Sequence, residues 1–184
     1  MDYEKLIKKQ LSEKRYAHSM RVAETAIKLA EAHGADTEKA KIAGILHDYC
    51  KEYPVKEQIR IAVDAGLLSS KEDLLMPQVL HGPVAAQLLR GEGVIDDEEI
   101  LQAIRFHTTG HPEMGTLAKI IFISDYIEPG RKTPHLEGLF ELAEKDLDAC
   151  VVEIIDRTTV YLLDGQKLIH ETMIECRNRL LSKE

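Results

Sequence analysis

"AGILHDYCKEYP", residues 43–54, is the stretch on which the fold turns. Ala43 to Leu46 have the apolar spacing of a helix that faces a core. Pro54 limits that helix, because the residue before a proline is pushed out of helical space. Between them stand His47 and Asp48, whose polar heads are costly in apolar surroundings unless something pairs with them. Backward from here, "DTEKAKI" carries the same period, so one helix is expected from Asp36 to Tyr53, capped by Asp36 or Thr37. Neighbouring helical residues point about 100° apart, so His47 and Asp48 line two sides of a cavity rather than forming one chelate.

The helical period recurs outward from this stretch. "EKLIKKQL" (4–11) predicts a short first helix, and "RYAHSMRVAETAIKLAEAH" (15–33) a long amphipathic second one ended by Gly34. "PVKEQIRIAVDAG" (54–66) predicts a helix with Pro54 in its first turn and Gly66 at its C-cap. A looser stretch, "LLSSKEDLLMPQVLHGP" (67–83), precedes a short helix at "VAAQLLRG" (84–91). In "VIDDEEILQAIRFHTTG" (94–110), Asp96 and Glu99 stand at the spacing of a capping box. "GTLAKIIFISDYIEPG" (115–130) predicts a core helix closed by Pro129 and Gly130. Helices at 136–146, 147–164 and 168–183 complete an all-α chain, a helical bundle with its site between helices. No composition break divides the 184 residues, so a single domain is expected, with a motif-bearing core at about 15–131 and C-terminal helices at 135–184 packed on it.

Composition narrows the function. Hydrophobic residues at 44% are enough to fill a core. A net charge of -8, no Trp and only 5% aromatics disfavour a protein that tracks nucleic acid. Cys50, Cys150 and Cys176 lie far apart, in no metal-binding or disulfide pattern, and read as reduced thiols. The start "MDYEKLIKKQLSEKRY" lacks the apolar region of a signal peptide, and "LAKIIFISDYI" is too short to span a bilayer. A cytoplasmic protein without membrane partners is expected. Its oligomeric state is left open between monomer and homodimer.

Six side chains stand out within apolar helical segments: His18, His47, Asp48, His81, His107 and Asp125. Each alone has an inert reading. His18 can be a hydrogen-bonded surface residue, Asp125 a partner for a lysine, and His107 a partner for a helix dipole. Together they form a nitrogen- and oxygen-rich set without thiolate, which suits iron, manganese, zinc or nickel. Asp48 can offer one oxygen to each of two metals roughly 3.5–4 Å apart, the separation that clamps a phosphoryl group. Lys51 lies three residues after Asp48, and Arg21 three after His18, each on the same side of its helix as that residue.

The blocks "RYAHSMRV", "LHDYCK", "HGPVAA", "IRFHTTG" and "SDYIEPGR" follow in this order from Arg15 to Arg131. They resemble the HD-domain metal-dependent phosphohydrolases, and within them the YqeK-type bacterial symmetrical bis(5'-nucleosyl)-tetraphosphatases. The resemblance implies an all-helical HD bundle with one metal on His18, His47, Asp48 and Asp125, and His81 and His107 completing a second. It implies iron, mononuclear or dinuclear; the residues alone do not choose iron over manganese, nickel or zinc. The implied reaction is hydroxide attack on phosphorus, cutting diadenosine tetraphosphate into two ADP, with Asp48, Lys51, His81 and His107 as catalytic residues. Arg21, Lys51, His81, His107, Thr108, Thr109, His111 and Arg131 are then expected to bind the nucleotide, whether the tetraphosphate, ADP or a GDP-like product. The last helix is expected to cover it through His170, Glu175 or Arg177. Alternatives are another nucleotide phosphohydrolase, such as a 5'-nucleotidase or nucleoside triphosphate hydrolase, and a nucleotide sensor without turnover. An RNA-binding adaptor is disfavoured by the acidity.

Overall fold

Residues 1–131 and 136–182 are described by a computed structural model. The helices are α1 (Tyr3–Gln10), α2 (Glu13–Ala32), α3 (Thr37–Leu46), α4 (Val55–Asp64), α5 (His81–Gly91), α6 (Glu98–Phe106), α7 (Thr116–Ile127), α8 (Leu139–Lys145), α9 (Leu147–Asp164) and α10 (Glu171–Ser182). Two single 3-10 turns, Lys71–Leu74 and Pro77–Val79, lie between α4 and α5, and there is no strand among the described residues. The all-α expectation holds. His135, expected to begin the C-terminal part, lies outside the described residues.

Local chemistry sets the helix ends. Ser12, Asp36 and Asp146 accept main-chain N–H groups at the starts of α2, α3 and α9. At α6 the cap is Asp97, not the expected Asp96: its carboxylate accepts from the amides of Glu99 and Ile100 at 3.0 and 3.2 Å. Gly34 takes φ +63 and ends α2 as expected. The expected helix over 36–53 stops instead at Leu46. There the His47 ring donates to the Gly44 carbonyl at 2.7 Å, and tight turns replace the helical ladder: Tyr49 N–H to Leu46, Lys51 N–H to Asp48, Tyr53 N–H to Cys50. Helix α5 begins three residues earlier than expected, because the turn at Pro77–Val79 feeds directly into His81.

Helix α7 is the centre of the molecule. Leu117, Ala118 and every residue from Ile120 to Ser124 are buried, and α2, α3, α6 and α9 all pack against it. A helix so largely apolar belongs in such a position, and burying each of Ile120, Ile121 and Ile123 stabilises the fold by roughly 1.5–3 kcal/mol. No helix of the described residues is long and apolar enough to cross a membrane.

Two glycines let helices approach where the candidate site residues meet. A Cβ on Gly44 would stand 2.6 Å from the Ala23 Cα, so α3 lies directly on α2 there. A Cβ on Gly82 would stand 2.9 Å from the Ile104 carbonyl and 3.2 Å from the His107 ring, so α5 lies equally close on α6. The first contact brings His18 and His47 together, and the second His81 and His107.

Candidate metal centre and its groove

Four imidazoles arrive from four elements with the same ring nitrogen facing inward. His47 and His107 directly follow α3 and α6, where helix carbonyls lack main-chain donors. Their Nδ1–H groups donate to the carbonyls three residues back, Gly44 and Ile104, each at 2.7 Å. His81 does the same with Gln78 at 2.8 Å. His18, inside α2, donates its Nδ1–H to the Glu128 carboxylate at 3.0 Å. Carbonyls and carboxylates only accept, so all four rings are fixed with the proton on Nδ1 and the Nε2 lone pair free to coordinate.

Those Nε2 atoms converge. His18 and His47 are 3.3 Å apart, and His81 and His107 2.9 Å. Asp48 stands between the two pairs: Oδ2 is 3.4 Å from His47 and 3.6 Å from His18, while Oδ1 is 3.2 Å from His81 and 3.7 Å from His107. Asp125 adds an oxygen 3.0 Å from His18 and 3.8 Å from His47. Lone pairs that face one another across such gaps repel unless a cation or proton lies between them. Donor atoms at these spacings match adjacent corners of a coordination shell with bonds of about 2.1 Å. His18, His47 and Asp125 form one compact set of ligand atoms, and His47, Asp48 and His107 another. The residues present therefore fit one or two bound metal ions.

The electrostatics agree. Burial would raise the Asp48 carboxyl, but His47, His107 and His81 hold it well below the usual carboxylate range. Burial likewise works against Asp125, which His18, His47 and Arg131 hold low. On His47 burial favours the neutral ring, yet Asp48 beside it raises the pKa, so this pocket attracts positive charge. Burial pushes His81 down to about 4, which keeps its lone pair available at neutral pH.

Cations stand around the cluster. Lys51 is held there by the tight turns after α3, its Nζ 3.3 Å from His81 Nε2, and burial lowers its pKa. Arg131 donates Nε–H to the Asp125 carbonyl at 2.8 Å and pairs with the Asp125 carboxylate. The Thr108 hydroxyl lies 3.2 Å from both His81 and His107 Nε2. From this end a groove of about 1200 Å³ runs between α7 and α9, with Phe122, Tyr126, Ile154 and Met173 among its apolar lining. Asp156 and Arg157 add charge to its wall.

Other expected contacts do not gather at the cluster. Arg21 grips Glu128 at 2.5 Å and reaches His18 only through it. Thr109 donates to the Gly110 carbonyl. His111 stacks on Phe106 with ring centroids 4.3 Å apart. Glu175 is exposed, and Arg177 pairs with Asp156. His170 is buried against Asp73 at 2.7 Å. Burial acts to raise the Asp73 carboxyl, but His170 and the Ser69 and Ser70 groups outweigh it and lower its pKa. A depressed carboxylate stabilises the fold fully above its unfolded pKa of about 3.9, and the contribution is lost as pH falls through the folded pKa. Melting temperature measured from pH 6 to pH 3 should therefore fall less steeply in Asp73→Ala than in the wild type.

Two residues of the centre went unread in the sequence. Arg15 donates to Asp48 Oδ2 at 2.8 Å. Glu128, 1% exposed, accepts from His18, Arg21 and the Gly130 amide. Both stand three residues from an expected ligand, Arg15 before His18 and Glu128 after Asp125. That helical spacing was the available signal.

Known proteins resemble this chain in sequence and fold. The HD domain family model matches residues 15–130. The symmetrical bis(5'-nucleosyl)-tetraphosphatase of Staphylococcus aureus is 43% identical over 95% of this chain and 90% of its own. That of Bacillus subtilis is 44% identical over 96% and 94%. A crystal structure from Clostridium acetobutylicum, described as a predicted HD superfamily hydrolase involved in NAD metabolism, superposes with a TM-score of 0.94. It is 40% identical and covers 99% of this chain and 96% of its own. The chain belongs to the HD domain family, and within it to the group that holds the symmetrical bis(5'-nucleosyl)-tetraphosphatases.

Proposed function

We propose that this protein is a metal-dependent hydrolase that cleaves diadenosine tetraphosphate at its central anhydride and releases two molecules of ADP. The observation that carries the reading is Asp48, one carboxylate whose two oxygens face two histidine pairs. Near-full-length similarity to curated symmetrical tetraphosphatases supports the same substrate. In this reading His18, His47, Asp48 and Asp125 hold one ion, and His81 and His107 complete a second with Asp48. Such ions, when bound, supply Lewis acidity that neutralises phosphate charge and makes hydroxide available near neutral pH. Iron is our choice of metal, with manganese, nickel and zinc as alternatives for this nitrogen and oxygen set.

The chain's own residues do the rest. Lys51, Arg131 and Arg15 ring the cluster and bind the non-bridging oxygens of the four phosphates, Arg131 through a planar guanidinium suited to paired contacts. Thr108 orients the phosphate beside His81 and His107. The apolar groove between α7 and α9 seats one nucleoside, which fixes the central anhydride over the cluster. A new bond forms from the water oxygen to one inner phosphorus, and the bridging bond to that phosphorus breaks. The bridging oxygen leaves with the other ADP. Residues 1–184 act as a single unit, the HD core with its C-terminal helices, in the cytoplasm and without nucleic-acid or membrane partners.

Product analysis tests the assignment. ADP as the sole product of diadenosine tetraphosphate is the expected result. ATP with AMP would overturn the symmetrical cut, and robust phosphate release from AMP would point to a nucleotidase.

A further inference from the structure

We infer that Asp73 is a positioning residue for the nucleotide groove, acting through His170 on the first turn of α10. This inference rests on the groove assignment made above.

Asp73 is 3% exposed, although Glu72, Leu74 and Leu75 around it are exposed. Its carboxylate is fully occupied. One oxygen accepts His170 Nε2–H at 2.7 Å. The other accepts the Ser69 amide at 2.6 Å, the Ser69 hydroxyl at 3.0 Å and the Ser70 amide at 3.1 Å. His170 Nδ1 accepts the Thr172 amide at 3.3 Å, so the ring proton is on Nε2 and points at Asp73. The His170 carbonyl also accepts the Met173 amide at 3.1 Å. His170 thus caps α10 with its side chain and aims its first turn, and Asp73, 97 residues earlier, aims His170.

That turn has a defined task. Met173 is the α10 residue in the groove wall. One turn on, Cys176 seats against Gly110, where an added Cβ would stand 3.1 Å from its sulfur. Gly110 closes the loop that carries Thr108, so the tilt of α10 sets both the groove wall and the loop beside His107. A buried carboxylate held by hydrogen bonds is a poor source of stability compared with apolar packing of the same volume. What this pair supplies is direction, because both partners have every polar atom committed.

The test separates the pair from the cap. His170→Gln keeps an N–H that reaches Asp73, whereas His170→Asn keeps an oxygen at the capping position and loses Asp73. KM and kcat for diadenosine tetraphosphate should be measured in both, with Asp73→Ala, and ADP affinity by calorimetry. Expected is a rise of about tenfold in KM and in the ADP dissociation constant for His170→Asn and Asp73→Ala, with kcat within about twofold. His170→Gln should stay close to wild type in both. The inference is overturned if Asn performs as well as Gln, if only the melting temperature moves, or if kcat falls at constant KM. Should Asp73→Ala fail to fold, the Gln and Asn variants still decide. Should wild type release no ADP from the tetraphosphate, the proposed function fails, and the calorimetric comparison still judges the positioning role.

Discussion

Asp48→Ala is expected to reduce release of ADP from diadenosine tetraphosphate by at least about 10³-fold, and to lower the bound metal content. Among the described residues Asp48 is the carboxylate that faces both histidine pairs, with one oxygen 3.4 Å from His47 and the other 3.2 Å from His81. Without it, no anion faces His81 and His107, and their site has too little negative charge to hold a divalent cation. His18 and His47 keep Asp125, so partial metal content is the expected residue of the lesion. Arg15 loses its 2.8 Å partner as well. Asp48→Asn sharpens the result, because it preserves volume and removes only the charge. Its amide donates into one histidine pair, so its activity should fall as far as that of the alanine variant while its fold is kept. Metal analysis of protein purified without oxygen, beside the activity assay, checks both. Full activity and full metal content in both variants would sink the whole account of the site.

Much of this centre is legible because its chemistry is local. His47 and Asp48 at the end of an apolar helix, and Asp125 inside another, are costly placements that announce a partner. Their sequence neighbours mark them as candidates, and the family resemblance supplies the reading as metal ligands. Arg15 and Glu128 were legible in principle, at three residues from His18 and Asp125, but a surface cation and a turn carboxylate have common inert roles. The helical period runs α3 on to Tyr53, but the helix ends at Leu46 because the His47 ring, a side chain, takes the Gly44 carbonyl and lets the backbone tighten. Asp96 and Asp97 are adjacent with similar capping chemistry, and the phase of the buried stripe Ile100, Leu101 and Ile104 selects the second.

What the sequence could not show depends on contacts between distant segments. His170 reads as a polar residue ahead of a terminal helix, so contact with substrate was expected; only the fold brings Asp73 beneath it. The groove wall on α9 was equally hidden. Its stripe of Ile154, Arg157 and Tyr161 has ordinary helical spacing, and only the position of α7 opposite turns it into a lining. The close helix crossings belong to the same class. A glycine inside a helix reads as a weakness of about 1 kcal/mol, and nothing local says that a neighbouring backbone requires it.

Gly44→Ala turns that last point into a measurement. Alanine is the better helix former by about 1 kcal/mol, so a helix considered alone predicts stabilisation. The crossing predicts the reverse. The added Cβ meets the Ala23 Cα at 2.6 Å, its nitrogen at 2.9 Å and its Cβ at 3.1 Å. The first two are backbone atoms and cannot turn aside, so α2 and α3 must separate. Overpacking of this kind costs roughly 1–3 kcal/mol and at times more, which outweighs the propensity gain and should lower the melting temperature by roughly 2–4 °C per kcal/mol. Activity should suffer more than stability. His18 on α2 and His47 at the end of α3 have Nε2 atoms 3.3 Å apart, and a displacement near 1 Å is enough to lose about 10²-fold in rate. Gly91→Ala is the control, since a Cβ there meets nothing within 4 Å, and it should leave melting temperature and activity at or above wild type. If Gly44→Ala proved as harmless as Gly91→Ala, the approach of α3 to α2 would not be what sets the spacing of the first histidine pair.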